Sequence, residues 1–260
     1  MEPMVPQTSK PFAELEQQLA QEHFAFLGAG RMRGLLEGEH GWSDGAAFAA
    51  SWDDLPEDTY MADGGRYRQR RHAVFAVTGD GPVVRRPPRP HYQSRDRNPL
   101  NGGVERWFEP IEPAVAESEV LAAIFDFCRT VLRRTRPEVS AWHVEVHQFR
   151  ILAAPDAAGQ PTPEGMHRDG VDFVLALLIR RENVLSGTTS IADLERRVIG
   201  EFTLSQPFDA ALVDDRFVYH GVTPITVECP GKPAYRDVCV VTYTASDSLP
   251  PTAGSWVPGS

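Results

Sequence analysis

The sequence predicts a mainly β fold with flanking α-helices, on three observations. Beyond residue 140 apolar and polar residues alternate over short runs, the period of strands with one buried face. Those runs, AWHVEVHQFRI, MHRDGVDFVLALLI, SIADL, GEFTL, AALVDDRFVYHGVTPI and RDVCVVTYTA, are separated by turn residues, the pattern of a sandwich or barrel. Before residue 140, two stretches repeat at helical spacing instead. The 260 residues, 42% hydrophobic and 24% charged, suit a single domain over 1–260, with 1–60 as an N-terminal helical elaboration and 246–260 as a flexible Pro/Gly/Ser-rich tail.

Taken in chain order, Ser9 and Pro11 open a helix whose apolar positions Phe12, Leu15, Leu19 and Phe24 recur at helical spacing to about Leu27. Gly28 and Gly30 are read as its stop. GAGRMRG has the look of a nucleotide-binding glycine loop, but on this reading it follows a helix rather than a strand and has the wrong spacing. From Arg66 to Val84 the alternation around a Gly-Asp-Gly turn predicts a hairpin. RRPPRPHYQSRDRNPLNGG is a long Pro/Gly/Asn-rich loop, the kind of segment that often carries binding residues. Ser118 to Arg136 predicts a second helix, with Val120, Ile124, Cys128, Val131 and Leu132 on one stripe and arginines in its last turn.

Composition narrows the function. A net charge of −10 and a pI near 5.3 argue against nucleic acid or an anionic membrane as partner, because either needs a basic face; a small molecule is expected instead. Cys128, Cys229 and Cys239 form no CxxC pair, so neither a disulfide framework nor a structural zinc site is suggested, and a reducing cytoplasm fits. No signal pattern and no apolar run long enough to span a membrane is evident.

Residues two apart on a strand share a face, so His167 and Asp169, ahead of an apolar run, are expected to aim together. Another apolar strand ends at His220, and a double-stranded barrel would fold it back beside the first. Two imidazoles and one carboxylate on one face make the facial triad of non-heme Fe(II), which leaves coordination positions open. No HExxH of a zinc hydrolase is present. Arg236, at the start of the next strand, can clamp the distal carboxylate of a dicarboxylic acid that chelates the metal at its other end. A rival metal site of cupin type is offered by His143, Glu145 and His147 on one strand face, without an arginine to match; it would suit a metal or small-ligand binding protein without turnover.

These motifs, HQFRI, PTPEGMHRDGVDFV, RREN, DDRFVYHGVTPI and YRDVCVVTY in order, with YRQRRHAVF and YQSRDRNPLNGGVERWFEP upstream, resemble the Fe(II)/2-oxoglutarate-dependent dioxygenases. More narrowly, they resemble the bacterial free amino-acid hydroxylases grouped with L-isoleucine 4-hydroxylase, a group with relatives linked to biofilm and stress; a stress-signalling protein that keeps the fold without turnover is the other alternative. The likeness covers most of residues 60 to 245. It implies a double-stranded β-helix (jelly roll) barrel, Fe(II) on His167, Asp169 and His220, 2-oxoglutarate on Arg236, and O2-dependent hydroxylation with release of succinate and CO2. Related halogenases lack the carboxylate at the position of Asp169, so hydroxylation is expected. One departure is NVLSGTTSI, where Gly187 is followed by Thr188 instead of a second glycine.

A free amino acid would need a cation for its carboxylate, an acceptor for its ammonium and an apolar wall, and Arg70, Arg71 and Tyr92 are the candidates for binding it. On HVEVHQFRI, Gln148 and Arg150 share one face and His143, Glu145 and His147 the other; either could face the interior, and Arg150 is the second candidate for a carboxylate of the cosubstrate. The amino acid, the carbon attacked and the oligomeric state stay open.

Overall fold

In the computed structural model, residues 9–37, 43–79 and 81–246 are described. Helix α1 (Ser9–Glu22), strand β1 (Phe24–Leu27), helices α2 (Ala29–Leu36) and α3 (Gly45–Ala50) and a 3-10 turn (Ser51–Asp54) lead into the hairpin of β2 (Arg68–Thr78) and β3 (Val83–Arg85). Helices α4 (Pro113–Ala116) and α5 (Glu119–Thr135) follow. The remaining strands are β4 (Ala141–Leu152), β5 (Phe173–Glu182), β6 (Val184–Ser186), β7 (Thr188–Ala192), β8 (Val198–Thr203), β9 (Ala210–Asp214), β10 (Tyr219–Val222), β11 (Ile225–Val227) and β12 (Tyr235–Ala245). The predicted tail, beyond Ser246, lies outside the described residues, as does Asp80 of the hairpin turn.

Seven strands form one sheet in the order β1-β9-β5-β12-β4-β2-β3; β10-β7-β8 and β11-β6 form the opposing, smaller layer of the jelly roll. Alternation along each strand divides the large sheet into two faces. One face, with Phe75, Val144, Leu175, Leu212 and Val241, joins Leu15, Met32, Ile124 and Leu132 of the helices in the main core. The other looks toward the small sheet, with Val174 and Val213 meeting Ile191. β5 is covered on both sides, which is why FVLALLI reads as an unbroken apolar run. Helix α5 meets expectation: Ser118 caps it by accepting the Leu121 N–H at 3.2 Å, and its predicted stripe is buried.

The N-terminal helix is shorter than predicted. It ends at Glu22, His23 turns the chain with φ +64°, and Phe24–Leu27 becomes a strand. Phe24 and Leu27 satisfy a helical spacing as well as a strand. The decision is tertiary: β9 is buried throughout, and pairing with β1 satisfies the edge it would otherwise leave open. Consequently GAGRMRG does follow a strand, and Gly28 caps the start of α2 rather than ending α1. That helix start is nevertheless filled by the protein itself, because the Ala29 N–H donates to Asp209 Oδ1 at 2.9 Å.

AALVDDRFVYHGVTPI is three strands, not one. A turn at 215–217 moves the chain from β9 in the large sheet to β10 in the small one. At NVLSGTTSI, Ser186 (φ +62°) and Gly187 (φ +75°) take the left-handed turn positions, so Thr188 can start β7. A Cβ on Gly187 would stand 2.9 Å from Ile225 and 3.1 Å from Arg181, a close approach that favours glycine there.

Candidate active site

The inner face of the large sheet and strands β7 and β10 of the small one enclose a cavity of about 380 Å³. β12 alone turns Arg236, Val238, Val240, Thr242 and Thr244 into it, and β4 turns His143, Glu145, His147, Phe149 and Ile151. The question of which β4 face is interior is thereby answered: Gln148 and Arg150 look the other way.

His167 and Asp169 are not on the strand, as expected, but in the loop ahead of β5. They converge for another reason. His167 and His220 form an isolated antiparallel bridge, each backbone N–H donating to the other's carbonyl at 2.9 Å, and their rings lie 4.6 Å apart. Asp169 then places Oδ1 3.6 Å from His167 Nε2 and Oδ2 3.4 Å from His220 Nε2. One ligand atom from each of the three lies within 4.8 Å of the others, a span that one ion could close at the roughly 2.0–2.2 Å bond lengths of N and O ligands.

A residue the sequence reasoning missed holds this loop. Asp215, fully buried in the turn after β9, accepts the backbone N–H groups of Asp169 (3.0 Å), Gly170 (2.7 Å) and Val171 (3.2 Å). Gly170 (φ +83°) allows the chain to wrap around that carboxylate. Asp215→Ala leaves three donors without an acceptor, at about 1–3 kcal/mol each. We expect a lowered melting temperature together with weaker Fe(II) binding in an anaerobic titration; iron affinity equal to that of the unmodified protein would remove Asp215 from the support of the site.

The electrostatics favour a cation at this point. His167 Nδ1 donates to the Gly165 carbonyl at 2.9 Å, so it is Nε2 that faces Asp169 and the cavity, and an ion binding there would displace its proton. Burial opposes charging of His167, but the Asp169 and Glu164 carboxylates outweigh it and carry its pKa up to about 9. Burial alone would raise Asp169; hydrogen bonds from His167 and His220 instead hold it well below the usual carboxylate range. Asp215 is pushed up to about 6 by burial and by the charge of Asp169.

Arg236 lines the same cavity, is 4% exposed, and its guanidinium makes neither an ion pair nor a side-chain hydrogen bond among the described residues, with Nε buried and unpartnered. Burial, and then the charge of Arg181, bring its pKa down to about 10. A buried guanidinium without a counter-ion is costly unless a ligand supplies one.

The other candidates separate. Arg150 is corrected away from the cavity: β12–β4 register sets it opposite Asp237, which it grips through Nε (2.7 Å) and Nη2 (2.8 Å), with Asp53 beyond. Arg71 likewise points outward, to the Pro110 carbonyl and Glu112. Arg70 and Tyr92 do line the cavity, Arg70 buried and Tyr92 exposed at its rim.

The cupin-type grouping takes a different form. Glu145 is the hub of four imidazoles, His72 (3.1 Å), His91 (2.6 Å), His143 (3.3 Å) and His147 (3.5 Å). Four of these, without His143, have atoms close enough for an ion. However, Arg70 Nη2 stands 2.7 Å from His147 Nδ1, and a guanidinium only donates. The proton of neutral His147 is therefore on Nε2, 3.5 Å from Glu145 Oε2, which leaves that atom without a lone pair for a metal.

A sequence profile of the 2OG-Fe dioxygenases matches residues 49–242. The chain belongs to this family. Dioxygenases of this family use Fe(II), 2-oxoglutarate and O2, and the enzyme's His-His-Asp cluster fits the metal. It is similar to an L-isoleucine-4-hydroxylase of Bacillus thuringiensis, 24% identical over 203 residues, 75% of this chain and 80% of the other. It is also similar to a 3(1)-hydroxy-L-isoleucine 4-dioxygenase of Pantoea ananatis, 24% identical over 161 residues, 61% and 65%. Among crystal structures, a bsmA homolog from Methylobium petroleophilum PM1 matches with 34% identity and a TM-score of 0.79 over 90% of this chain and 93% of that one. Among the described residues, no helix is long and apolar enough to cross a membrane.

Proposed function

We propose that the enzyme hydroxylates a small free L-amino acid, with His167, Asp169 and His220 holding Fe(II) and Arg236 gripping the far carboxylate of 2-oxoglutarate. The observation that carries this is the buried, counter-ion-free guanidinium of Arg236 in the same cavity as the triad. When bound, the iron and cosubstrate supply oxygen activation: 2-oxoglutarate and O2 become succinate and CO2, one oxygen atom entering succinate and the other a substrate C–H bond. The chain's own part is placement. Arg236 fixes the cosubstrate by its tail, the His167 and His220 Nε2 atoms and Asp169 hold the metal, and Val174, Val213, Val238 and Val240 give an apolar wall that keeps water off the reacting carbon. The names of the two curated relatives support the amino-acid reading, as does a cavity of about 380 Å³, of a size for two small molecules and not for a folded partner. The buried free thiols of Cys128 and Cys239 suit a cytoplasmic enzyme.

Anaerobic Fe(II) with 2-oxoglutarate should give the weak visible band of the chelate. In air, aliphatic L-amino acids should stimulate succinate formation more than peptides containing the same residues. A peptide or protein emerging as the best substrate in a screen of both would overturn the free amino-acid reading.

A further inference from the structure

A second group of cations in the cavity is unexplained by iron or cosubstrate. Arg68 and Arg70 come from β2 and Arg106 from the segment just past the long Pro/Gly/Asn-rich loop, and all three line the cavity at 6%, 3% and 2% exposure. Asp58 is the single carboxylate among the described residues that pairs with them, 2.8 Å from Arg68 Nε and 3.7 Å from Arg70 Nη1. Each guanidinium keeps one buried nitrogen without a partner: Nη2 of Arg68, Nε of Arg70 and Nε of Arg106. Arg70 is fixed between the rings of Phe108 (3.7 Å) and Phe149 (4.3 Å), so its donors cannot swing to solvent. Burial, and then the charge of Arg68, lower the pKa of Arg70 and Arg106, so an anion bound beside them would be favourable.

The same cavity wall carries an orphan acceptor. Glu164 has its Oε2 buried and unpartnered, while its Oε1 lies 3.3 Å from His167 Nε2. Gln93 bridges Arg106 and Asp169. Its Oε1 accepts from Arg106 Nη2 (2.8 Å) and Asn98 Nδ2 (3.1 Å), which forces its Nε2 toward Asp169 Oδ1 at 3.1 Å. The arginine group is thus one side chain away from the metal carboxylate.

We propose that Arg68, Arg70 and Arg106 form the subsite for the substrate's carboxylate, that Glu164 receives its ammonium group, and that Gln93 is a positioning residue joining Arg106 to Asp169. Three unpaired donors and one unpaired acceptor match a zwitterion, and a ligand lacking either charge leaves a buried group unsatisfied. Side-chain selection then falls to the apolar wall, so the site reads the head of an amino acid before its tail. The inference rests on the amino-acid hydroxylase reading above.

The test compares L-isoleucine, its primary amide and 3-methylpentanoate as activators of succinate formation, with the other common L-amino acids in parallel, and repeats the best one on Arg106→Leu, Arg106→Lys and Glu164→Gln. Removing one charge-assisted contact should raise the apparent KM for the amino acid roughly 10- to 100-fold, with Arg106→Lys in between and the KM for 2-oxoglutarate changed by less than about threefold. The amide and the deamino acid should be poor activators of the unmodified enzyme, an arm that needs no variant to fold. Amide turnover equal to that of the amino acid, or an unchanged amino-acid KM in a folded Arg106→Leu, overturns the subsite, whereas no amino-acid-dependent turnover while the chelate band forms strikes the amino-acid reading beneath it. Failure of the chelate band in the unmodified protein would strike the underlying reading instead.

Discussion

His220→Ala loses substrate-dependent succinate release by roughly three orders of magnitude or more, beyond the 10- to 100-fold typical of removing an outer partner of a metal ligand. The fold survives, because the bridge that seats residue 220 is made by backbone atoms, two N–H···O=C bonds of 2.9 Å with His167. The side chain contributes its ring against His167, its Nε2 toward Asp169 and its Nδ1 at 3.7 Å from Asp215 Oδ1. Far-UV circular dichroism should therefore overlay that of the unmodified protein while iron binding fails. His167→Ala and Asp169→Ala should behave alike, with one difference: Asp169→Ala also frees Gln93 Nε2 from its acceptor and loosens the loop that carries Arg106. Near-normal turnover in His220→Ala would falsify its assignment as the third ligand.

The large features of the fold were legible because one period dominates each segment. β12 and β4 alternate cleanly, since one face meets the helices and the other a cavity, and α5 has a stripe, a cap and arginines at its end. β1 was not legible: four residues are too few to separate the two periods, and the edge of β9 decides between them. The three residues proposed as the triad are readable by type and order, and the fold does bring them together, though by a different route from the one expected. A loop, a cross-sheet bridge and the Asp215 cradle do what a strand face was expected to do. Asp215 was hidden inside an Asp-Asp pair that reads as an ordinary turn. Gln93 lies in the loop marked for binding and Arg106 three residues past its end, but which of the many polar residues here turn inward depends on contacts such as the His91–Arg106 bridge, which no local pattern encodes.

Arg150 and Arg236 show how finely the outcome depends on register. Both are strand arginines near the same end of the barrel, and sequence alone left them as alternatives. In the β12–β4 ladder Asp237 stands opposite Arg150, while Arg236 stands opposite Ile151. Directly opposed residues share a face, so Arg150 and Asp237 go together to the helix side and Arg236 goes with Ile151 to the cavity. A slip of one residue would exchange the two roles.

That contrast makes Arg236→Leu the sharpest test of the cosubstrate site. If Arg236 holds the far carboxylate of 2-oxoglutarate, its removal leaves that carboxylate buried without its partner, a loss of about 3 to 5 kcal/mol, or roughly two to four orders of magnitude in apparent affinity. Iron binding should persist, because the guanidinium is not a ligand. Thermal stability should hold or rise, since the guanidinium has no counter-ion among the described residues and leucine removes a buried charge from an apolar setting. Arg150→Leu should do the reverse. It strips the fully buried Asp237 of its two-point partner, leaving Arg180 at 3.0 Å as its remaining ion pair, so the melting temperature falls while the KM for 2-oxoglutarate stays near that of the unmodified enzyme. Measured side by side, the two variants should move one quantity each. A normal KM for 2-oxoglutarate in Arg236→Leu would remove this residue as the clamp, whatever the stability data show.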